Sequence, residues 1–208
     1  MKFFISDTHF DHEKLVKLCK YPFANVEEYN ETVIRNWNKV VTPADTVYHL
    51  GDFGFHKDLL RIITRLNGSL ILICGNHDRN NIKNIMHRFS VVKDLHETHV
   101  GEARHPVVMC HYPMQSWNRS HYGAFHLHGH CHGSMQPYGR RMDVGCMLHG
   151  WAPVSETKVI EVLGSQEFIA PVHVMDADPK WLRPLNEPAK VNRMESTNVT
   201  RAIKTDTP

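Results

Sequence analysis

The chain has 208 residues, enough for one domain with a single good core and some additional segment. Its 41% apolar and 22% charged content is that of an ordinary globular protein, and a net charge of +2 is too small for a chain built to coat nucleic acid or an anionic membrane. Stable nucleic-acid binding and a membrane role are therefore not expected, the latter because apolar runs such as Leu70 to Cys74 fall far short of a bilayer.

Met1-Lys2 leads directly into Phe3-Phe4-Ile5 and Ser6-Asp7 without a small-residue cleavage site. The cysteines Cys19, Cys74, Cys110, Cys131 and Cys146 are odd in number and contain no C-x-x-C, which points to a reducing compartment, the cytoplasm. Lys2 to Ser6 reads as a short buried strand. His12 stands at the start of the next helix. Val26, Tyr29, Val33, Ile34, Trp37 and Val40 recur at three- and four-residue spacing, predicting a longer helix with Asn25 as N-cap and Glu28 completing a capping box. Thr46 to Leu50 is a second strand, Leu59 to Leu66 an amphipathic helix stopped by Gly68, and Ser69 to Cys74 a third strand. Asn80 to Phe89 has a helical pattern. Ser90 to Leu95, Pro106 to Cys110, Ala124 to His128, Arg140 to Val144 and Thr157 to Leu163 read as strands. Strand–helix alternation followed by mostly strands implies an α/β protein. Residues 1–164 form the expected globular domain; from Ser165 the apolar period fades and prolines gather, so 165–208 reads as a C-terminal extension, docked or disordered.

Histidine is the informative residue. There are 17, and His121, His126, His128, His130 and His132 crowd one short stretch. Polar clusters also follow predicted strands, where loops hold side chains on a rigid edge: Asp7-Thr8-His9, Gly51-Asp52, Gly75-Asn76-His77-Asp78, His111 and Gly129-His130-Cys131-His132. Singly, each has a plain explanation as a cap, a turn or a satisfied buried histidine. Together, Asp7, His9, Asp52, Asn76, His111, His130 and His132 offer only oxygen and nitrogen, a set suited to Mn²⁺, Fe²⁺ or Zn²⁺. Seven donors exceed one tetrahedral ion and suit two ions sharing a carboxylate.

The order D-x-H, G-D, G-N-H-D, H, G-H-x-H resembles the calcineurin-like metallophosphoesterase superfamily, and Tyr48-His49-Leu50, His111-Tyr112-Pro113 and Leu127-His128 resemble its small uncapped bacterial and phage members. The resemblance implies a four-layer αββα sandwich of two mixed β-sheets flanked by helices. It implies that Asp7, His9 and His132 bind one divalent ion, that Asn76, His111 and His130 bind a second, and that Asp52 bridges them. Mn²⁺ is the first choice, with Fe, Zn or Ni as alternatives. A hydroxide held between the ions would attack phosphorus in line, His77 would act as general acid and Asp78 would orient its ring.

Superfamily protein phosphatases carry an Arg shortly after the Gly-Asp block; Phe53-Gly54-Phe55-His56-Lys57 has none. With the short spans between blocks, this favours a phosphodiesterase acting on a small phosphate ester, nucleotides and cyclic nucleotides included, over a phosphomonoesterase. A non-catalytic scaffold would have lost ligands or His77, and a structural zinc module would cluster its Cys and His within about 30 residues. His12, Trp117 and Arg119 are the candidate substrate-binding residues; packing competes as the explanation for Trp117, and solvation for Arg119. His126 and His128 share a face with His130 and His132 if the chain stays extended, which makes them candidates for supporting the ligands or for plain burial.

Overall fold

The computed structural model describes residues 1–55, 58–102 and 106–167. The extension expected over 165–208 thus lies, from residue 168 onward, outside the described residues. In chain order the elements are β1 (Lys2–Ile5), α1 (Glu13–Leu18), α2 (Val26–Val40), β2 (Thr46–His49), α3 (Leu60–Ile63), β3 (Ser69–Ile73), α4 (Asp78–Asn81), β4 (Val91–Lys93), β5 (Leu95–Thr98), β6 (Val107–Cys110), β7 (Phe125–His128), β8 (Arg141–Asp143), β9 (Val154–Ser155) and α5 (Glu156–Gly164). Short 3-10 turns lie at Met86–Arg88, Ser120–Tyr122 and Cys146–Leu148.

The strands form two mixed sheets. The first has the order β4-β3-β2-β1-β9, parallel throughout except for the β1–β9 edge pair. The second has the order β5-β6-β7-β8, with β6, β7 and β8 parallel and β5 antiparallel to β6. Alternate residues of β1 face opposite ways: Phe3 and Ile5 join the core under the helices, while Phe4 joins the core between the sheets. The helix-side core takes Tyr29, Val33, Ile34 and Trp37 from α2 and Ile62 and Ile63 from α3. Each fully buried side chain of this size stabilises by roughly 1.5–3 kcal/mol relative to exposure. Asn25 caps α2 by accepting the Glu28 amide, and the Glu28 carboxylate takes the Ala24 amide in return. Between the sheets Phe4, Tyr48, Leu50 and Ile73 pack with Val107, Met109, Phe125 and Leu127. The expected α/β fold of two mixed sheets flanked by helices is the observed one. Among the described residues no helix is long and apolar enough to cross a membrane.

Three local expectations differ. Thr157 to Leu163 is helical, within α5: Ser155 caps the Lys158 amide, and Val159 and Leu163, one turn apart, are buried. A run of Val, Ile and Leu satisfies both periods, and the cap decides. Ser90 to Leu95 is not one strand, because the chain passes from β4 in the first sheet to β5 in the second at Asp94. Asn80 to Phe89 keeps its helical spacing of buried Ile82, Ile85 and Phe89 but folds as two separate turns.

Candidate metal centre

Because β1, β2 and β3 run parallel, their carboxyl ends deliver Asp7, Asp52 and Asn76 to one edge of the first sheet. β6 and β7 deliver His111 and His130 from the second sheet in the same way. The first two loops continue the parallel pairing beyond the strands: the Asp7, His9 and Phe10 amides donate to the Gly51, Asp52 and Phe53 carbonyls, each at 2.9 Å. At this edge the two sheets are linked by the His130 amide, which donates to Asp7 Oδ2 at 3.0 Å, and by the Ser6 amide, which donates to the Val144 carbonyl at 3.0 Å.

The seven residues converge. Asp7, His9 and His132 present ligand atoms within 4.8 Å of one another, as do Asp7, Asp52 and His111, so both groups could hold a metal ion. Asn76 Oδ1 lies 3.0 Å from His111 Nε2 and 3.1 Å from His130 Nδ1. Asp7 belongs to both groups, and Asp52 Oδ2, in the second, lies 3.8 Å from His9 Nε2 and 3.6 Å from His111 Nε2. Asp7, His9, Asp52 and His111 are buried, whereas His132 is partly exposed and Asn76 and His130 are exposed, so the cluster opens to solvent on one side.

The backbone is strained where the donors sit. Asp7, His9, Asp52, His130 and His132 all have φ between 40° and 69°, a left-handed conformation that side-chain-bearing residues rarely adopt. Glycines keep the carboxylates free: a Cβ on Gly75 would run into Asp52 Oδ1, and one on Gly129 into Asp7 Oδ2.

The donor set suits a cation. His111 Nδ1 donates to the Leu50 carbonyl at 2.7 Å, so a neutral ring turns its Nε2 lone pair toward Asn76 Oδ1 and Asp52 Oδ2. Acceptors facing acceptors are unfavourable unless a proton or a metal ion lies between them. Burial pushes His9 down to about 3, keeping it neutral, and burial raises the Asp52 carboxyl. Burial alone would raise Asp7, but the adjacent His132 imidazole, 3.5 Å away, outweighs it and holds the carboxyl at about 2. The hydrogen bond to Asp7 raises His132.

Residues 1–143 match the family model described as the calcineurin-like phosphoesterase superfamily domain. The chain belongs to that superfamily. It is 30% identical over 182 residues to Uncharacterized protein MJ1445 of Methanocaldococcus jannaschii, a match covering 82% of this chain and 96% of that one. It is 35% identical over 80 residues to Gene 66 protein of Mycobacterium phage L5, covering 36% and 38% of the two chains. Among solved structures it is similar to the protein of unknown function AQ665 from Aquifex aeolicus, with a TM-score of 0.61, 26% identity and coverage of 78% and 98%.

In this superfamily member, His77 stands at the rim, 47% exposed, with Nε2 3.9 Å from Asp52 Oδ2 and its amide donating to Asp52 Oδ1. Asp78 departs from the ring-orienting role expected of it. Its fully buried carboxylate accepts the Gly75, Asp52 and Phe53 amides at 2.7 to 2.8 Å, tying the Gly-Asp loop to the Gly-Asn-His-Asp loop. Those three amides account for its place, and it is bonded to loop backbone instead of to the imidazole.

His12 lies beside the cluster: its Nδ1 accepts the Leu15 amide as the cap of α1, and its ring sits 5.9 Å from that of His9. Trp117 is buried on the outer face of the second sheet, packed against His126 with its indole N–H on the Ala124 carbonyl, so packing accounts for it and not substrate contact. Arg119 is likewise away from the donors. It lines a shallow depression with Thr98 and Pro106, at the start of β6, whereas His111 follows the end of that strand. His126 is spent on backbone, and His128 bonds the Gly129 carbonyl. Two positioning residues escaped the sequence reading. Asp143 accepts the Gly133 and Gly145 amides and holds the His132 loop, and the Tyr21 hydroxyl sits 3.5 Å from His132 Nδ1. The Asp143-Val144-Gly145 turn after β8 was a readable signal for the first; nothing local marks Tyr21.

Proposed function

We propose that the chain is a metal-dependent hydrolase of phosphate esters that prefers diesters to monoesters. The observation that carries this is the convergence of seven oxygen and nitrogen donors, Asp52 among them, with no thiolate in the set. In this reading Asp7, His9 and His132 hold one divalent ion, Asn76, His111 and His130 hold the other, and Asp52 faces both. Two such ions, Mn²⁺ first and Fe, Zn or Ni as alternatives, would supply charge for the phosphoryl oxygens and acidify water. The protein's part is placement and proton transfer. Asp78 fixes the separation of the Asp52 and Asn76 loops through three amides. His77, exposed and pointed at the same carboxylate, is positioned to give a proton to the leaving oxygen. His12 uses Nδ1 for its helix cap, so a neutral ring carries its proton on Nε2 and can donate to a phosphoryl oxygen.

The diester preference rests on charge. Arg79 is bonded to Asp94, Arg61 to Asp11, and Arg141 to the Met114 and Gln136 carbonyls. None of these guanidinium groups is free to meet the second negative charge of a monoester. The five unpaired cysteines support a reducing, cytoplasmic setting. The deciding experiment strips the protein with chelator and restores each ion against p-nitrophenyl phosphate and bis(p-nitrophenyl) phosphate. Two ions per chain and higher kcat/KM on the diester are expected. One ion or none at saturation would overturn the dinuclear reading, and monoester preference with every ion would make the chain a phosphomonoesterase.

A further inference from the structure

Two aromatic side chains stand on either side of the donor cluster. Phe55 lies on the His77 side, with its ring 4.8 Å from that of His77, 4.1 Å from His12 and 5.6 Å from His9. Tyr112 lies on the other side, its ring 5.1 Å from His111 at 76° and 4.9 Å from His130 at 67°. Nearly perpendicular to both imidazoles, it rises from them as a wall and is 46% exposed. A lone exposed tyrosine is unremarkable on a protein surface. This one touches two candidate metal donors, and its hydroxyl has no hydrogen-bond partner among the described residues. Arg61, Arg79 and Arg141 are already bonded to Asp11, Asp94 and the Met114 carbonyl, whereas the flat faces of Phe55 and Tyr112 border the donors directly.

We propose that Tyr112 is a stacking platform for a flat aromatic ring, a nucleobase or a simple aryl group, on the half of the ester that is retained after hydrolysis. The inference rests on the phosphodiesterase reading above: with His77 serving the leaving oxygen, the leaving half lies toward Phe55 and the retained half toward Tyr112. Stacking on an aromatic side chain tolerates any flat ring and needs no hydrogen-bond match.

The test holds the leaving group constant. Bis(p-nitrophenyl) phosphate and methyl p-nitrophenyl phosphate both release p-nitrophenolate and differ only in the retained group. With Mn²⁺-loaded protein, the ratio of their kcat/KM values should fall ~10-fold in Tyr112→Leu, mainly through KM, and be restored in Tyr112→Phe. A ratio unchanged in Tyr112→Leu, or lost equally in Tyr112→Phe, would overturn the platform. A second arm measures equilibrium binding of adenosine 5′-monophosphate against ribose 5-phosphate by calorimetry. Tighter binding of the adenosine compound that disappears in Tyr112→Leu assigns the platform to nucleobases. An aryl effect without an adenosine advantage assigns it to simple aryl groups. If neither diester is hydrolysed, the phosphodiesterase reading fails on its own, and the binding arm still decides the platform: equal affinities would overturn it.

Discussion

The stretch His126-Leu127-His128-Gly129-His130-Cys131-His132 places a histidine at every second position, yet its two halves do opposite work. His126 and His128 belong to β7 and are buried. Both ring nitrogens of His126 are spent on backbone: Nδ1 donates to the Val108 carbonyl, and Nε2 accepts the Met114 amide. His130 and His132 lie past the strand end, at φ of 69° and 48°, which breaks the two-residue period and swings their rings toward Asn76 and Asp7. Residue type and spacing are the same in both halves. What separates them is whether the backbone is extended and whether the ring nitrogens already have partners.

A third kind of histidine sharpens this contrast, and its loss should have the largest effect. His77 belongs to neither set: it is exposed, near Asp52, and not among the converging donors. His77→Ala should keep both ions and the fold while turnover of an ester with a poor leaving group falls ~10²–10⁴-fold. With p-nitrophenolate leaving, little protonation is needed and the loss should shrink. Loss of an ion, or equal damage to good and poor leaving groups, would place His77 in the donor set instead.

Next in size is the direct test of the two halves. His132→Ala should weaken ion binding by more than ~100-fold, read by titration into chelated protein, with little loss of stability in chelator. His126→Ala should do the reverse. It takes the ring away from the buried Val108 carbonyl and the half-buried Met114 amide, costing about 1–3 kcal/mol in urea unfolding, with ion affinity kept. If the two variants behaved alike, the distinction drawn from ring nitrogens would be wrong.

How much of this was legible is itself physical. The donors were visible because each follows an apolar strand, and parallel strands bring such positions to one edge; all seven do converge. The α/β class and α2 were visible because their periods are long and capped. Thr157 to Leu163 was not, because β-branched residues at helical spacing fit either element and only the Ser155 cap separates them. For Asp78, adjacency to His77 suggests contact in the sequence, whereas the carboxylate at the start of α4 meets three loop amides first. Trp117 and Arg119 sit in the loop between two donors, but that loop covers the outer face and far end of the second sheet, a path fixed by tertiary packing.

The same contrast predicts a pH effect of intermediate size. Burial pushes His126 down to about 4, so it is neutral in the fold and protonates near 6.5 when unfolded. The unfolded chain therefore binds the extra proton first as pH falls. The stabilisation is complete above about pH 6.5 and is lost progressively as pH drops toward 4. Between pH 7 and pH 5 this amounts to about 2 kcal/mol. Replacing His126 with Gln should flatten the stability profile of chelated protein over that interval by a comparable amount. An unchanged slope would mean that the ring is already charged in the fold.

The smallest effect is the most specific, because its sign should depend on the ion. A side chain held in the left-handed region costs roughly 1–2 kcal/mol, and glycine relieves this while adding about 0.5–1 kcal/mol of unfolded-state freedom. His130→Gly should therefore leave the chelated protein slightly more stable than the parent, by about 0.5–1 kcal/mol. Saturating Mn²⁺ should reverse the order, since an ion at ~100 times its dissociation constant stabilises the intact site by about 2.7 kcal/mol and the variant binds it less well. His128, two residues earlier and inside β7, has no such strain to release, and His128→Gly should destabilise with and without the ion. A crossing pair of unfolding curves for position 130 and a parallel pair for position 128 is the expected outcome. If His130→Gly lowered stability in chelator as well, the left-handed backbone there would be held by its neighbours at no net cost, and the strain would not be tied to ion binding.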